Sequence, residues 1–213
     1  MEETRRPLKT RNVAIIQWFA RKLCQTGISP NQISVLSSVF AMGASGCFLL
    51  LLSTQNFWFS ILAAIFIQCR LLCNLFDGLV AVEGKKGTPS GPLFNEIPDR
   101  IADSFILIAV GYAITSVAWG ATMGWFSALM AMATAYVRVL ATAEGAPTKF
   151  TGPMAKPHRM AILTFACLGV PIEQYLYGTL DQGLIIVLCI IGFGSVITMM
   201  RRTWDAYYYL ERK

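Results

Sequence analysis

Residues 74–103 read NLFDGLVAVEGKKGTPSGPLFNEIPDRIAD and gather Asn74, Asp77, Asn95, Glu96, Asp99 and Asp103 between two long apolar runs. Clustered carboxylates repel one another unless a cation intervenes, and oxygen-only ligands suit Mg²⁺, Mn²⁺ or Ca²⁺. Asp77 lies near the end of one apolar run, and Asp99 and Asp103 near the start of the next. Acids at membrane depth cost about 2.5–3.5 kcal/mol each on insertion scales, so they usually face a bundle interior and carry function. The plainer reading, acids in a loop between spans, does not account for their helical spacing.

Arg70, Asn74, Asp77 and Ala81 follow at +4, +3 and +4, which places them on one helix face. Asn95, Asp99 and Asp103 repeat every four residues and form a second stripe. Two antiparallel neighbours joined by a short loop are expected to bring the stripes together. Gly78, Ala81, Gly84, Gly87 and Gly91 leave room there for a bulky ligand. Glu96 and Arg100, at i and i+4, form an ordered pair beside Asn95. A second, cationic group follows: Arg138, Lys149, Lys156, His158 and Arg159. Lys149, Lys156 and Arg159 also satisfy the charge rule for cytoplasmic loops, and His158 reads as interfacial.

These residues are carried by a membrane chain. Of 213 residues 55% are hydrophobic and 14% charged, against about a quarter charged in soluble domains. The formal charge of +6 is not interleaved with aromatics on a soluble module, which argues against nucleic acid as a partner. Cys24, Cys47, Cys69, Cys73, Cys167 and Cys189 are scattered and read as small core residues, not as a disulfide frame or a zinc site. The first twelve residues are polar and basic, so no cleavable signal peptide is expected.

Residues 12–26 are too short and too charged to span. Val13, Ile15, Ile16, Phe19 and Leu23 cluster on one side, with Arg11, Gln17, Arg21 and Lys22 on the other and Trp18 at the boundary. That pattern predicts an interfacial helix on an anionic leaflet. Gly27 to Asn31 breaks it, with Pro30 suited to a first turn. Six apolar segments follow, at about 32–53, 57–82, 92–119, 121–143, 160–178 and 183–201. The fifth is interrupted by Gly169, Pro171 and Glu173. Gly43, Ser45, Gly46, Gly192, Gly194 and Ser195 would let helices approach closely.

Lys85 and Lys86, then Lys149, Lys156 and Arg159, then Arg201, Arg202, Arg212 and Lys213 all fall on one side of a six-span chain. Arg5, Arg6, Lys9, Arg11, Arg21 and Lys22 at the N-terminus share that side, and the alternate loops hold no Lys or Arg. Both termini are therefore expected in the cytoplasm. Arg70, Arg100 and Arg138, all within spans, share the cytoplasmic half with the acids and predict a polar cavity opening there. The expected class is an all-α integral membrane protein, six transmembrane helices after an amphipathic one, of a bacterial inner membrane or its equivalent. Its expected organisation is 1–27 N-terminus and interfacial helix, 28–202 membrane domain and 203–213 tail.

The central stretch resembles the signature of the CDP-alcohol phosphotransferase family, Asp-x-x-Asp-Gly-x-x-Ala-Arg, eight residues, then Gly-x-x-x-Asp-x-x-x-Asp. Asp77, Gly78, Ala81, Gly91 and Asp99 match in register, including the eight-residue gap at 83–90. Gly27-Ile28-Ser29-Pro30-Asn31, Tyr136-Val137-Arg138 and Glu144-Gly145 extend the likeness over nearly the whole chain. Asn74, Asn95 and Val82 depart from it, standing where the family has Asp, Asp and Arg.

The resemblance implies a homodimeric enzyme of phospholipid biosynthesis that uses Mg²⁺ (or Mn²⁺). It would move a phosphatidyl group from CDP-diacylglycerol to a polar alcohol and release CMP. It implies Asp99 as the base on the acceptor hydroxyl and Asn74, Asp77, Asn95 and Asp99 as the metal positions. Glu96, Asp103 or Glu83 would supply the charge that Asn lacks, which makes Glu96 and Asp103 further candidate ligands. Gly78, Ala81 and Gly91 would line the CDP site, and Arg138, Lys149, Lys156 and Arg159 the acceptor site. Other readings are a transferase of a CDP-linked head group to diacylglycerol, or a non-catalytic relative that binds nucleotide or lipid. A transporter is a third, but no internal repeat supports it.

Overall fold

A computed structural model describes residues 14–84 and 86–212. The described residues form seven helices: α1 (Ala14–Gln25), α2 (Pro30–Thr54), α3 (Trp58–Glu83), α4 (Gly91–Ala113), α5 (Gly120–Ala143), α6 (Lys156–Tyr177) and α7 (Gln182–Leu210). Arg5, Arg6, Lys9, Arg11, Val13, Lys85 and Lys213, used above for topology or amphipathicity, lie outside the described residues.

Local chemistry starts and stops these helices as expected. Ser29 and Gln32 form a reciprocal capping box at the head of α2, with Pro30 at its first position. α4 and α6 likewise carry Pro92 and Pro157 in their first turns. Inside α4, Pro98 has no N–H to give the carbonyl four residues back, a local weakness between Asn95 and Asp99. Three boundaries differ from the apolar runs. α4 stops at Ala113 and not near 119, where the backbone N–H groups of Thr115 and Ser116 turn to Asp181 Oδ2 at 2.7 and 2.9 Å. The fifth segment is a continuous helix that starts earlier, at Lys156, and tolerates Pro171. The last helix passes position 201 and runs to Leu210. At ~1.5 Å per residue it is longer than a hydrocarbon core is thick.

Five of the seven helices are long and apolar enough to cross a membrane: α2, α3, α5, α6 and α7. α4 has the length, 23 residues, but its first half carries Glu96, Asp99, Arg100 and Asp103.

The six long helices close into a ring in which α2 packs on α3 and α4, α5 on α4 and α7, and α6 on α3 and α7. The main neighbour of α3 is therefore α2, not α4 as the short loop suggested, and the two polar stripes meet across the ring interior. Phe48, Ile67, Ile106, Leu107, Leu163, Leu184, Leu188 and Ile191 fill the apolar part of that interior. The tightest backbone approach is at a pair the sequence did not single out. A Cβ on Gly111 would stand 2.7 Å from the Cα of Gly124, so α4 and α5 can cross there only as glycines. Gly46, by contrast, faces open space.

α1 docks on α3 at the same end as the acids. Ala20 is buried, and Leu23 and Cys24 pack on Ile33, Cys73 and Val80. Trp18 and Phe19 remain exposed, as an interfacial helix requires. Lys86 Nζ donates to the carbonyl of Cys24 at 3.0 Å and ties α1 to the α3–α4 loop.

Candidate active site

Alternating helix directions bring the second half of α3, the first half of α4, the end of α5, the start of α6 and the middle of α7 to one end of the ring. Six charges cluster there, five of them buried, Arg70, Asp77, Asp99, Asp103 and Arg159, and one partly buried, Lys156, with the buried Arg202 at their edge. Of the six, three are acids and three are bases, so their formal sum is zero.

Arg70 organises the cluster. Its Nη2 lies 3.3 Å from Asp99 Oδ1 and donates to the Asp99 carbonyl at 3.1 Å. Its Nη1 lies 2.7 Å from Asp103 Oδ1, a contact held by charge and not by an aligned hydrogen bond. Arg159 reaches the other oxygen of Asp103 at 3.1 Å and donates to the Met154 carbonyl at 2.7 Å. Arg202 braces the neighbouring segments by donating to the carbonyls of Thr151 and Thr134 at 2.9 and 2.7 Å.

Asp99 is held on both oxygens. Oδ1 accepts from Asn74 Nδ2 at 3.0 Å as well as meeting Arg70, and Oδ2 pairs with Lys156 Nζ. Asp77 is in a different state. Its Oδ2 accepts from Ser34 Oγ at 2.7 Å, while its Oδ1 is buried without a hydrogen-bond partner among the described residues. Asn74 Oδ1, one turn away on the same face, is also buried and unpartnered. Gly78 and Ala81 follow on α3, partly exposed, and Gly91 opens α4.

Glu96 stands apart from this group. Both of its oxygens accept from Arg138 Nη2, at 2.7 and 2.8 Å, and Oε2 also meets Arg100. The i,i+4 pair expected on α4 is therefore present, widened to a triad. Arg138 lies over the Phe150 ring and lines a small pocket with Lys149, Arg202 and Asp205.

These positions revise the expected ligand set. Asn95 is exposed and its side chain makes no hydrogen bond with the described residues; it stands near the start of α4, one turn before the buried Asp99 on the same stripe. Asp103 and Glu96 are neutralised by arginines, and Glu83 is exposed at the end of α3. Among the described residues no group of three or more His, Cys, Asp or Glu is arranged to hold a metal ion. What does fit a hard cation is the pair of unpartnered oxygens on Asn74 and Asp77, since Mg²⁺ commonly takes one or two side chains and completes its shell with phosphate and water. The cations expected at an acceptor site also divide. Arg138 and Lys149 line the small pocket, whereas Lys156 and Arg159 sit on α4 carboxylates.

Ser34 escaped the sequence reading. The only sign of it is a hydroxyl four residues after Pro30 in an apolar helix, and nothing local connects it with Asp77.

The profile of the CDP-alcohol phosphatidyltransferase family matches residues 28–200. The chain belongs to that family. It is 26% identical over 198 residues to the archaetidylinositol phosphate synthase of Pyrococcus horikoshii, covering 92% of this chain and 93% of that one. The fold is also that of the phosphatidylinositol phosphate synthase of Mycobacterium tuberculosis. Its structure with CDP-DAG bound aligns with a TM-score of 0.72 at 20% identity, over 91% of this chain and 94% of that one. The same enzyme with manganese and citrate aligns with a TM-score of 0.72 at 19% identity, over 90% and 88%. The family assignment makes this an integral membrane protein of the phosphatidyltransferase class, and the ring of helices is the family's fold.

Proposed function

We propose that this protein transfers a phosphatidyl group from CDP-diacylglycerol to a polar alcohol and releases CMP, at the cytoplasmic end of a six-span bundle. The observation that carries this reading is the group Asn74, Asp77 and Asp99, with Gly78, Ala81 and Gly91 in the family's register, at one end of the ring.

Asp99 is the candidate base. It takes the proton of the acceptor hydroxyl as that oxygen bonds to the phosphorus bearing diacylglycerol, and the bond from that phosphorus to the CMP oxygen breaks. A base within hydrogen-bond reach of the hydroxyl is the geometric requirement. Asp99 Oδ2 accepts from Lys156 and keeps a second lone pair for the acceptor hydroxyl, so the ammonium stays in place. Lys156 and Arg70 then stand where negative charge gathers, and fixed cations there lower the barrier without reorganising. Asn74 and Asp77 are the residues that would hold Mg²⁺ or Mn²⁺. A divalent ion so held supplies further charge compensation for the diphosphate oxygens.

Gly78, Ala81 and Gly91 offer little side-chain bulk where the cytidine diphosphate would lie. A Cβ on Gly91 would meet only Thr88 Oγ1, at 3.6 Å, so the protein's own packing does not demand glycine there. Arg138 and Lys149 are the acceptor-side cations, with Arg138 aimed by Glu96. α4 completes the sixth span, its charges paired inside the ring as membrane burial requires.

A second reading, a binder without turnover, is favoured by one observation: both oxygens of Asp99 are already engaged. One experiment separates the two. Purified protein is incubated with CDP-diacylglycerol, Mg²⁺ and a panel of alcohols, and CMP release is measured. Turnover on at least one alcohol supports the transferase, and none on any alcohol, with nucleotide binding intact, supports the binder.

A further inference from the structure

We propose that Lys156 serves as a fixed second cation at this site. The chain then binds a single divalent ion, on Asn74 and Asp77, and only when a diphosphate completes its shell. The inference rests on the reading of this end of the ring as a diphosphate site, and it concerns what the ion needs in order to stay.

An inventory of oxygens comes first. Of the buried acids and amides at the cluster, Asp99 is engaged on both oxygens, by Arg70 and Asn74 on Oδ1 and by Lys156 on Oδ2. Asp103 is neutralised by Arg70, in ion-pair contact with Oδ1, and by Arg159, which donates to Oδ2. Asp77, only 3% exposed, keeps one oxygen without a hydrogen-bond donor among the described residues, and so does Asn74 one turn away. A pair of ions of the two-metal type needs carboxylates to bridge and flank it. Here the carboxylate next to Asn74 carries an ammonium instead. Lys is suited to that exchange because it is a compact point charge on a flexible stem.

Charge gives the same answer. Asp77, Asp99 and Asp103 are matched one for one by Arg70, Lys156 and Arg159, so the cluster has no formal surplus of negative charge to draw in a free ion. Two oxygens, one of them on a neutral amide, are also too few for a hard cation that takes about six. A diphosphate alters both terms, since it brings negative charge and further oxygens. The ion therefore arrives with the nucleotide or is trapped by it.

The test is equilibrium dialysis of the full-length protein in nanodiscs against Mn²⁺, with and without CDP in both compartments. The expected result is one Mn²⁺ per chain in excess of the protein-free compartment with CDP, and less than a tenth of that without it. Asp77→Asn should abolish the uptake. Lys156→Met, which frees Asp99 Oδ2, should raise affinity for Mn²⁺ in the absence of CDP by about tenfold or more, the equivalent of ~1.4 kcal/mol. Should Lys156→Met not fold, Lys156→Gln serves the same purpose, and the wild-type stoichiometry tests the proposal without either variant. Two ions per chain would overturn it, as would uptake independent of CDP or no uptake with CDP. Mn²⁺ affinity unchanged in a folded Lys156 variant would overturn it too. CMP release is scored separately. Loss of turnover with a single CDP-dependent ion retained would refute the transferase and leave this inference standing.

Discussion

Arg70 and Asp103 lie 2.7 Å apart, with the arginine wholly buried and the aspartate nearly so. They join α3 to α4 across the ring, although each of those helices packs chiefly on α2 and other neighbours. The second nitrogen of Arg70 reaches Asp99, so one guanidinium sets both the spacing of α3 from α4 and the orientation of the candidate base. Structure and site are coupled at this residue.

Replacing Arg70 by Met should therefore destabilise the protein, by about 3–5 kcal/mol, because it strands buried carboxylates without a counter-charge. Thermal unfolding in detergent measures this. The double variant Arg70→Met with Asp103→Leu should recover part of the loss. A single variant as stable as wild type would show that the pair carries no structural role.

Asp77→Ala should abolish CMP release while the protein remains folded and inserted. Ser34→Ala should act in the same direction but less, by about ten- to a hundredfold, since a hydrogen bond to a charged group contributes ~1.5–3 kcal/mol. Kinetics on protein verified by size-exclusion chromatography decide both. Wild-type activity in a folded Asp77→Ala protein would sink the assignment of the site.

The two asparagines should behave differently from each other. Asn74→Asp replaces the amide that donates to Asp99 at 3.0 Å with a carboxylate, and two close carboxylates cannot both ionise cheaply. CMP release should fall by about tenfold or more, one pKa unit of mutual repulsion being 1.36 kcal/mol. Asn95→Asp adds its charge at an exposed position and should change the rate by about twofold at most, as exposed charges interact weakly. A double variant that turns over far faster than wild type would mean that the family's acids were needed after all.

Lys86→Cys and Lys149→Cys should both be labelled by an impermeant thiol reagent from the cytoplasmic side alone. The background must lack the partly exposed Cys24, Cys69 and Cys189. Labelling of the two sites from opposite faces would overturn the six-span topology and the orientation of the site.

The long helices could be read from the sequence because their signals are local. Apolar runs, the Ser29–Gln32 box, the Gly-Ile-Ser-Pro-Asn start and the charge bias of alternate loops each act within a few residues. The Glu96–Arg100 pair was legible for the same reason, as a turn of helix sets i and i+4 side by side. So was the gathering of Asp77 and Asp99 at one end, which follows from alternating directions.

The partnerships inside the ring were not legible. Lys156 on Asp99, Arg159 on Asp103 and Ser34 on Asp77 join residues that no local rule connects. Nor was it legible that α2 stands beside both α3 and α4, or that Asn95 is exposed while Asp99, one turn on, is buried. The 3.6-residue repeat places residues around one helix but does not say which side faces the interior. In a soluble helix the apolar stripe answers that question. In lipid both the outward and the inward faces are apolar, so rotation about each axis is decided by close contacts such as Gly111 on Gly124, and those exist only once the helices have met.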